Sequence, residues 1–293
     1  MENRYAIQFR RRRASVEASF DSDPLKVFAT RTLERLIAEE RANWRLSSVP
    51  IRALLDLLQT ESHFSILDLQ SEKYRAETRL VWRTPSPFEI ALSMRPGGYL
   101  SHATAAYLHG LTDDVPSTFY VNKEQSLKGG GGTLIQANLD RAFANRQRQS
   151  NLSYKDPAGN TYVVLAGRFT NRLEVGNIQG PEGELLVATK LERTLIDLVV
   201  RPLYAGGVQK VVQAFSKAKG RVSTNVLVAT VKKLAYVYPY HQAIGFYLER
   251  AGFEASTLDR IREMGLQFDF YLAHGLKDAA FDPTWRVHHP RSL

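Results

Sequence analysis

Residues 48–82 read SVPIRALLDLLQTESHFSILDLQSEKYRAETRLVW, and this stretch decides the first part of the fold. Pro50 suits a first helical turn, and Ile51, Leu54, Leu55 and Leu58 then fall at i, i+3, i+4 and i+7 on one apolar face. Two short β-prone runs follow, residues 64–69 and 78–82, separated by a polar segment that carries Lys73 and Arg75. Upstream, Asp23 and Pro24 read as a cap and first turn, and Leu25, Phe28, Leu33, Leu36 and Ile37 predict a helix to about Arg41. Trp44, Arg45 and Leu46 read as a short strand. Helix, helix and a hairpin with a basic tip make a winged-helix-like unit over residues 23–84. Its expected DNA contacts are Arg52, Lys73, Arg75 and Arg79, although Arg79 also suits the solvent face of the hairpin. Only two helices are legible before the hairpin, one short of a complete helix-turn-helix, so a degenerate unit that no longer binds DNA stands as an even alternative. Residues 1–22 show no sustained period and read as a basic arm, whose Arg10, Arg11, Arg12 and Arg13 stay solvated or meet phosphates.

The chain of 293 residues, 44% hydrophobic and 24% charged, has enough apolar material for several packed units. No run approaches a membrane span and the N-terminus lacks a secretory block, so the expectation is a cytoplasmic protein with no membrane partner. The absence of cysteine excludes disulfides, thiolate metal sites and a cysteine nucleophile. Net charge is +9, and most of it lies in residues 201–250, where eight bases face the single acid Glu249. There Lys210, Lys217, Lys219, Arg221, Lys232 and Lys233 are expected to form a basic surface that attracts RNA or an acidic protein; a solvated helix face is the competing reading.

Residues 84–87, with two prolines, mark a boundary. Beyond it come a short helix at 88–92, a segment from His102 to His109 capped by Ser101, and strands at 119–121, 133–136, 161–165 and 173–175. From Thr189 the pattern is helical, with helices at 208–217, 223–234 and 242–251, before β-like alternation returns at 268–272 and 285–287. The expected fold class is α+β: the winged-helix-like unit, a central mixed α/β unit (85–188), and a C-terminal helical unit (189–293) whose tail packs back on the sheet.

Three blocks carry a resemblance: residues 99–111 (YLSHATAAYLHGL), residues 119–122 (FYVN), and residues 189–197 (TKLERTLID) followed by Arg201-Pro202 and Gly206-Gly207. Together they resemble the AbiEi antitoxins of type IV toxin–antitoxin and abortive-infection systems. The resemblance spans roughly 85–275. It implies an N-terminal winged helix that represses its own operon at operator DNA, and a larger antitoxin domain that counters a nucleotidyltransferase-like toxin, directly or otherwise. The residues themselves offer no cysteine, no metal-ligand spacing, no nucleophile–base pair and no complete phosphate loop, so no cofactor and no enzymatic activity are expected.

Within these blocks Ser101, His102, His109, Glu192, Arg193, Asp197, Arg201 and Pro202 read as structural. Arg193 and Asp197 form an i,i+4 pair expected to be tied to neighbouring backbone. His102 and His109 share a helical face without an acidic third ligand, so no zinc site is expected. The glycines at 129–132 lack the Gly-Lys-Ser/Thr ending of a phosphate loop. Two alternatives remain: a metal-dependent nuclease using Glu174, Glu184 and Lys190, and a repressor with no toxin partner.

Overall fold

The computed structural model describes residues 3–127 and 133–293; the glycine run at 129–132 lies outside the described residues. The chain opens with helix α1 (Arg4–Ser22), strand β1 (Val27–Phe28), helices α2 (Thr30–Glu40) and α3 (Ile51–Glu61), and the hairpin β2 (Phe64–Leu69) and β3 (Glu77–Trp82). The expected arm is therefore a helix, and it supplies the helix that the sequence reading lacked. Its apolar face is Ala6, Phe9, Val16 and Phe20, all buried. Arg13 occupies the turn between Phe9 and Val16, where a fifth apolar residue would complete the stripe, and pairs with Glu17 at 2.7 Å. That charge within the stripe hides the period.

Pro24 does not start a helix. The Leu25 amide donates to Asp23 Oδ1 at 2.8 Å, closing a turn that leads into β1. Helix α2 begins only at Thr30. Residues 44–46 form a turn, not a strand: Arg45 takes φ 58° and both Trp44 and Leu46 are buried.

The three strands form a sheet of order β1-β3-β2, all antiparallel. Phe28, Phe64, Leu80 and Trp82 face the three helices. Val27, Leu69 and Val81, on the opposite face, pack into the next unit against Phe88, Ile90 and Met94. Both faces of β3 are thus buried, and its burial from Arg79 to Trp82 is continuous instead of alternating.

The second unit runs through α4 (Pro87–Ser93), β4 (Tyr99–Leu100), α5 (His102–Leu108), β5 (Thr118–Glu124), α6 (Gln136–Ala144), β6 (Ser153–Lys155), β7 (Thr161–Gly167), β8 (Val175–Gln179) and β9 (Leu185–Thr189). Ser86 and Glu89 close a reciprocal capping box at α4, which places the boundary at the two prolines. The sheet order is β6-β7-β5-β4-β9-β8, with β5–β7 and β4–β9 parallel. The strand expected at 133–136 is absent, those residues leading into α6. The one expected at 173–175 begins only at Val175, because residues 171–174 form a turn in which Asn171, Arg172 and Glu174 all take φ near 52°.

The last third is helical, as expected: α7 (Leu191–Val200), α8 (Val208–Ala218), α9 (Thr224–Leu234), α10 (Tyr240–Arg250) and α11 (Ala255–Arg262). Helix α10 is buried from Gln242 to Leu248 and forms the axis of this unit. The tail returns as β10 (Phe270–Tyr271), β11 (Ala279–Asp282) and β12 (Val287–Pro290) in a separate three-stranded sheet. Phe270, Trp285 and Val287 join the helical core. Architecture is α+β throughout, and no helix among the described residues is long and apolar enough to cross a membrane.

Candidate functional site

The N-terminal unit presents Arg52 in the first turn of α3 and Lys73 and Arg75 on the β2–β3 loop, all three exposed. Arg11 and Arg12 are exposed on α1. Arg10 is engaged by Glu61 at the end of α3, with Nε and Nη2 donating to the two carboxylate oxygens at 2.7 and 2.8 Å.

Arg79 is not available to DNA. It shares a face with Val81, the face turned toward the second unit, and is 6% exposed. Its guanidinium pairs with Glu77 and donates to the Thr78 carbonyl at 3.1 Å. Glu77 also accepts from Arg95 at 3.3 Å and from the Tyr154 hydroxyl at 2.8 Å. Burial works to raise the Glu77 pKa, but the hydrogen bonds from Arg79 and Tyr154 hold it below the ordinary range. The wing itself is docked: Gln70 and Lys155 exchange backbone hydrogen bonds of 2.9 and 2.7 Å, and Tyr74 donates to Asn151 at 2.9 Å.

The motif residues converge on α7. Arg193 Nε donates to Asp197 Oδ1 at 2.8 Å, and Nη1 donates to the Leu173 carbonyl at 2.9 Å, so the pair is tied to backbone as expected. The anchoring backbone is the 171–174 turn; Arg201 and Pro202 contribute through the Arg201 amide, which donates to the Asp197 carbonyl at 3.0 Å. Burial opposes the charge on Arg193, yet Asp197 beside it holds its pKa above the ordinary value. Glu192 accepts from the Ser223 amide at 2.8 Å and joins α7 to the start of α9.

Ser101 does not cap α5 with its side chain, since its hydroxyl is engaged by His102 Nδ1 at 2.9 Å. His102 takes φ 52°, and its ring meets Tyr204 edge-on at 5.4 Å. His109 Nε2 lies 2.8 Å from the Thr189 carbonyl, a separate packing role.

Burial lowers the His102 pKa to about 4. The folded imidazole therefore stays neutral while the unfolded one takes up a proton near its ordinary value of about 6.5, so stability falls as pH drops from about 6.5 toward 4. The wild type should lose about 2 kcal/mol between pH 7 and 5 through this group. Urea titrations of His102→Gln should show a correspondingly flatter pH dependence; an identical dependence would remove His102 as its source.

His102, Arg193, Asp197 and Arg201 line one cavity, together with Asn122, Gly167, Arg168, Thr170, Val200 and Tyr236. Asn122 ends one of the three motif blocks, whereas Arg168, Thr170 and Tyr236 carried no sequence signal, because they sit on separate elements and meet only through the fold. Glu124 on β5 organises this wall, accepting from the Thr170 amide at 3.0 Å, the Arg172 amide at 3.2 Å and the Tyr99 hydroxyl at 3.0 Å. Tyr99 in turn accepts from Asn122 Nδ2 at 2.7 Å.

The expected basic surface is partly neutralised from outside its own window. Lys210 pairs with Asp114, Lys217 with Asp113, and Arg221 donates to the His109 carbonyl. Lys219, Lys232 and Lys233 remain exposed, at the C-terminal ends of α8 and α9, where cations also favour the helix dipole.

Glu174 pairs with Lys190 at 3.2 Å, at one end of the β8–β9 hairpin, whereas Glu184 closes its turn at the other end. A shared metal centre on these three is incompatible with that placement. Among the described residues no three His, Asp or Glu side chains gather to hold a metal.

No family model matches the sequence, and neither does any curated protein. Among solved structures the chain is similar to the RV2827C protein from Mycobacterium tuberculosis, at 13% identity and a TM-score of 0.56. The match covers 95% of this chain and 91% of that one, so the likeness extends through all three units and is a likeness of fold.

Proposed function

We propose that the chain is an antitoxin of the AbiEi kind, which represses its own operon through the N-terminal unit and counters a nucleotidyltransferase-like toxin through the remainder. The observation that carries this reading is the completed winged helix: α1, α2 and α3 precede the hairpin, and α3 and the wing present Arg52, Lys73 and Arg75 to solvent. The motif blocks that resemble the family support the second half of the reading. In this reading the chain carries out no chemistry, and Arg11 and Arg12 add phosphate contacts from α1.

Gel-shift titrations on the DNA upstream of the gene test the first half. Each of Arg52→Ala, Lys73→Ala and Arg75→Ala should flatten the log K against log[salt] slope by about 0.9. Arg79→Ala should leave that slope unchanged, because its charge is spent on Glu77. Wild-type protein that prefers this DNA no more than random sequence would reject repression.

For the second half, the full chain is co-expressed with a nucleotidyltransferase-like toxin from the neighbouring gene. Growth should be rescued by wild type and lost in the triple variant Lys219→Glu, Lys232→Glu, Lys233→Glu. Undiminished rescue by the triple variant would exclude the basic helix ends, and no rescue by wild type would exclude the antitoxin role.

A further inference from the structure

We propose that the cavity beside α7 is a binding site for hydrogen phosphate, free or at the end of a small monoester, held by Arg168, Arg193 and Arg201. The inference stands whether or not the chain is an antitoxin.

Three guanidiniums line this cavity against the single carboxylate of Asp197, which leaves an excess of positive charge. Each of the three is oriented by the fold while keeping donors to spare. Arg168 Nη1 donates to the Leu234 and Ala235 carbonyls at 2.8 and 3.1 Å, leaving Nη2 and Nε. Arg193 spends Nε and Nη1 on Asp197 and Leu173, leaving Nη2. Arg201 lies with its guanidinium 5.8 Å from the Tyr204 ring, and among the described residues no hydrogen bond or ion pair engages it. Planar forks fixed in advance are the groups that bind phosphate oxygens strongly, because little rotamer freedom is lost on binding.

Size and acceptor chemistry narrow the ligand. The volume is about 90 Å³, well below the 300–1,000 Å³ of a pocket for a whole drug-sized molecule. One phosphoryl group fits, and any carrier attached to it lies outside. Asp197 Oδ1 is taken by Arg193, while Oδ2 accepts no hydrogen bond among the described residues; the same is true of Asn122 Oδ1, on a residue only 5% exposed. A carboxylate and an amide oxygen beside an anion are tolerable only if the anion itself carries a proton to donate. Hydrogen phosphate carries that proton, a monoester carries it only as its monoanion (second pKa about 6), and sulfate does not, so the same wall that attracts the charge selects the protonated oxyanion.

Backbone strain is gathered around this wall. His102 and residues 171, 172 and 174 occupy left-handed φ, and Gly167 packs against the Asn122 amide so closely that a Cβ there would collide with it.

The test is calorimetric titration of the full chain at about pH 6, where phosphate and a good part of a monoester both carry a P–OH, in low-salt buffer free of phosphate, with inorganic phosphate, AMP, sulfate and adenosine. Phosphate or AMP should bind at one saturable site, sulfate about tenfold or more weaker, and adenosine not at all. Tighter binding of AMP assigns the phosphate to a monoester, and tighter binding of inorganic phosphate assigns it to the free ion. Arg201→Gln, which breaks no hydrogen bond or ion pair among the described residues, should weaken binding about tenfold or more with circular dichroism and melting temperature nearly unchanged. Arg201→Lys should fall between the two, keeping charge but losing the fork. Absence of saturable binding below about 10 mM, sulfate equal to phosphate, or unaltered affinity in Arg201→Gln would overturn the site.

Discussion

Replacement of Asp197 by alanine should destabilise the protein by about 3–5 kcal/mol, because it leaves the Arg193 guanidinium buried without its counter-charge. Arg193 is 4% exposed and Asp197 is 6% exposed, so the few waters the adjoining cavity can hold do not replace the missing counter-charge. The leftover bonds from Nη1 to Leu173 and Thr170 satisfy hydrogen bonding but not charge. In a chain of this size the loss corresponds to a melting temperature lower by on the order of 10 °C. The double variant Arg193→Met, Asp197→Leu separates the two contributions: with both charges removed, most of the lost stability should return. Urea denaturation of the three proteins measures this directly. A single variant as stable as wild type would mean that the pair is not buried in solution.

Gly245→Val should be the most damaging change of a single small residue, costing more than about 3 kcal/mol. Gly245 lies on α10 with the Trp285 indole directly over it, and any Cβ would stand inside the ring's van der Waals surface. The indole has nowhere to retreat: Trp285 is fully buried and its Nε1 donates to Glu249 at 2.9 Å. A glycine inside a helix ordinarily gives up about 1 kcal/mol against alanine, so even Gly245→Ala should destabilise here despite better helix propensity. Thermal unfolding of both variants orders the effects, and a Gly245→Ala protein more stable than wild type would contradict the packing of Trp285 on α10.

How far the sequence announced this depends on where each residue's environment comes from. Ile51, Leu54, Leu55 and Leu58 announced α3 because their spacing alone makes the apolar face, and the structure buries Leu54, Leu55 and Leu58. Helix α1 was illegible because Arg13 stands within its stripe, its charge met by Glu17 one turn further on. Arg79 was misplaced because its burial is set by a neighbouring unit: the face it shares with Val81 is covered by α4, just beyond β3, and by the central sheet, far along the chain. The Arg193–Asp197 pair was legible at i,i+4 spacing, but its anchor at Leu173 was not, and neither were Arg168 and Tyr236, which reach the same cavity from a loop and from beyond α9. Likewise Asp113 and Asp114 escaped a charge count confined to residues 201–250, although they neutralise two of its lysines.

The wing of a winged helix is commonly a free-ended loop that tolerates insertions. Here its position is fixed twice, by β2 and β3 on one side and by the Gln70–Lys155 bridge and the Tyr74–Asn151 hydrogen bond on the other. Its length therefore becomes a shared dimension of two units. A residue added between Gln70 and Tyr74 would have to be absorbed by the edge of the central sheet as well as by the hairpin, and any displacement of Lys73 or Arg75 is transmitted to β6 and not dissipated in a slack loop. The six-stranded sheet thus serves as the ruler against which the wing is cut.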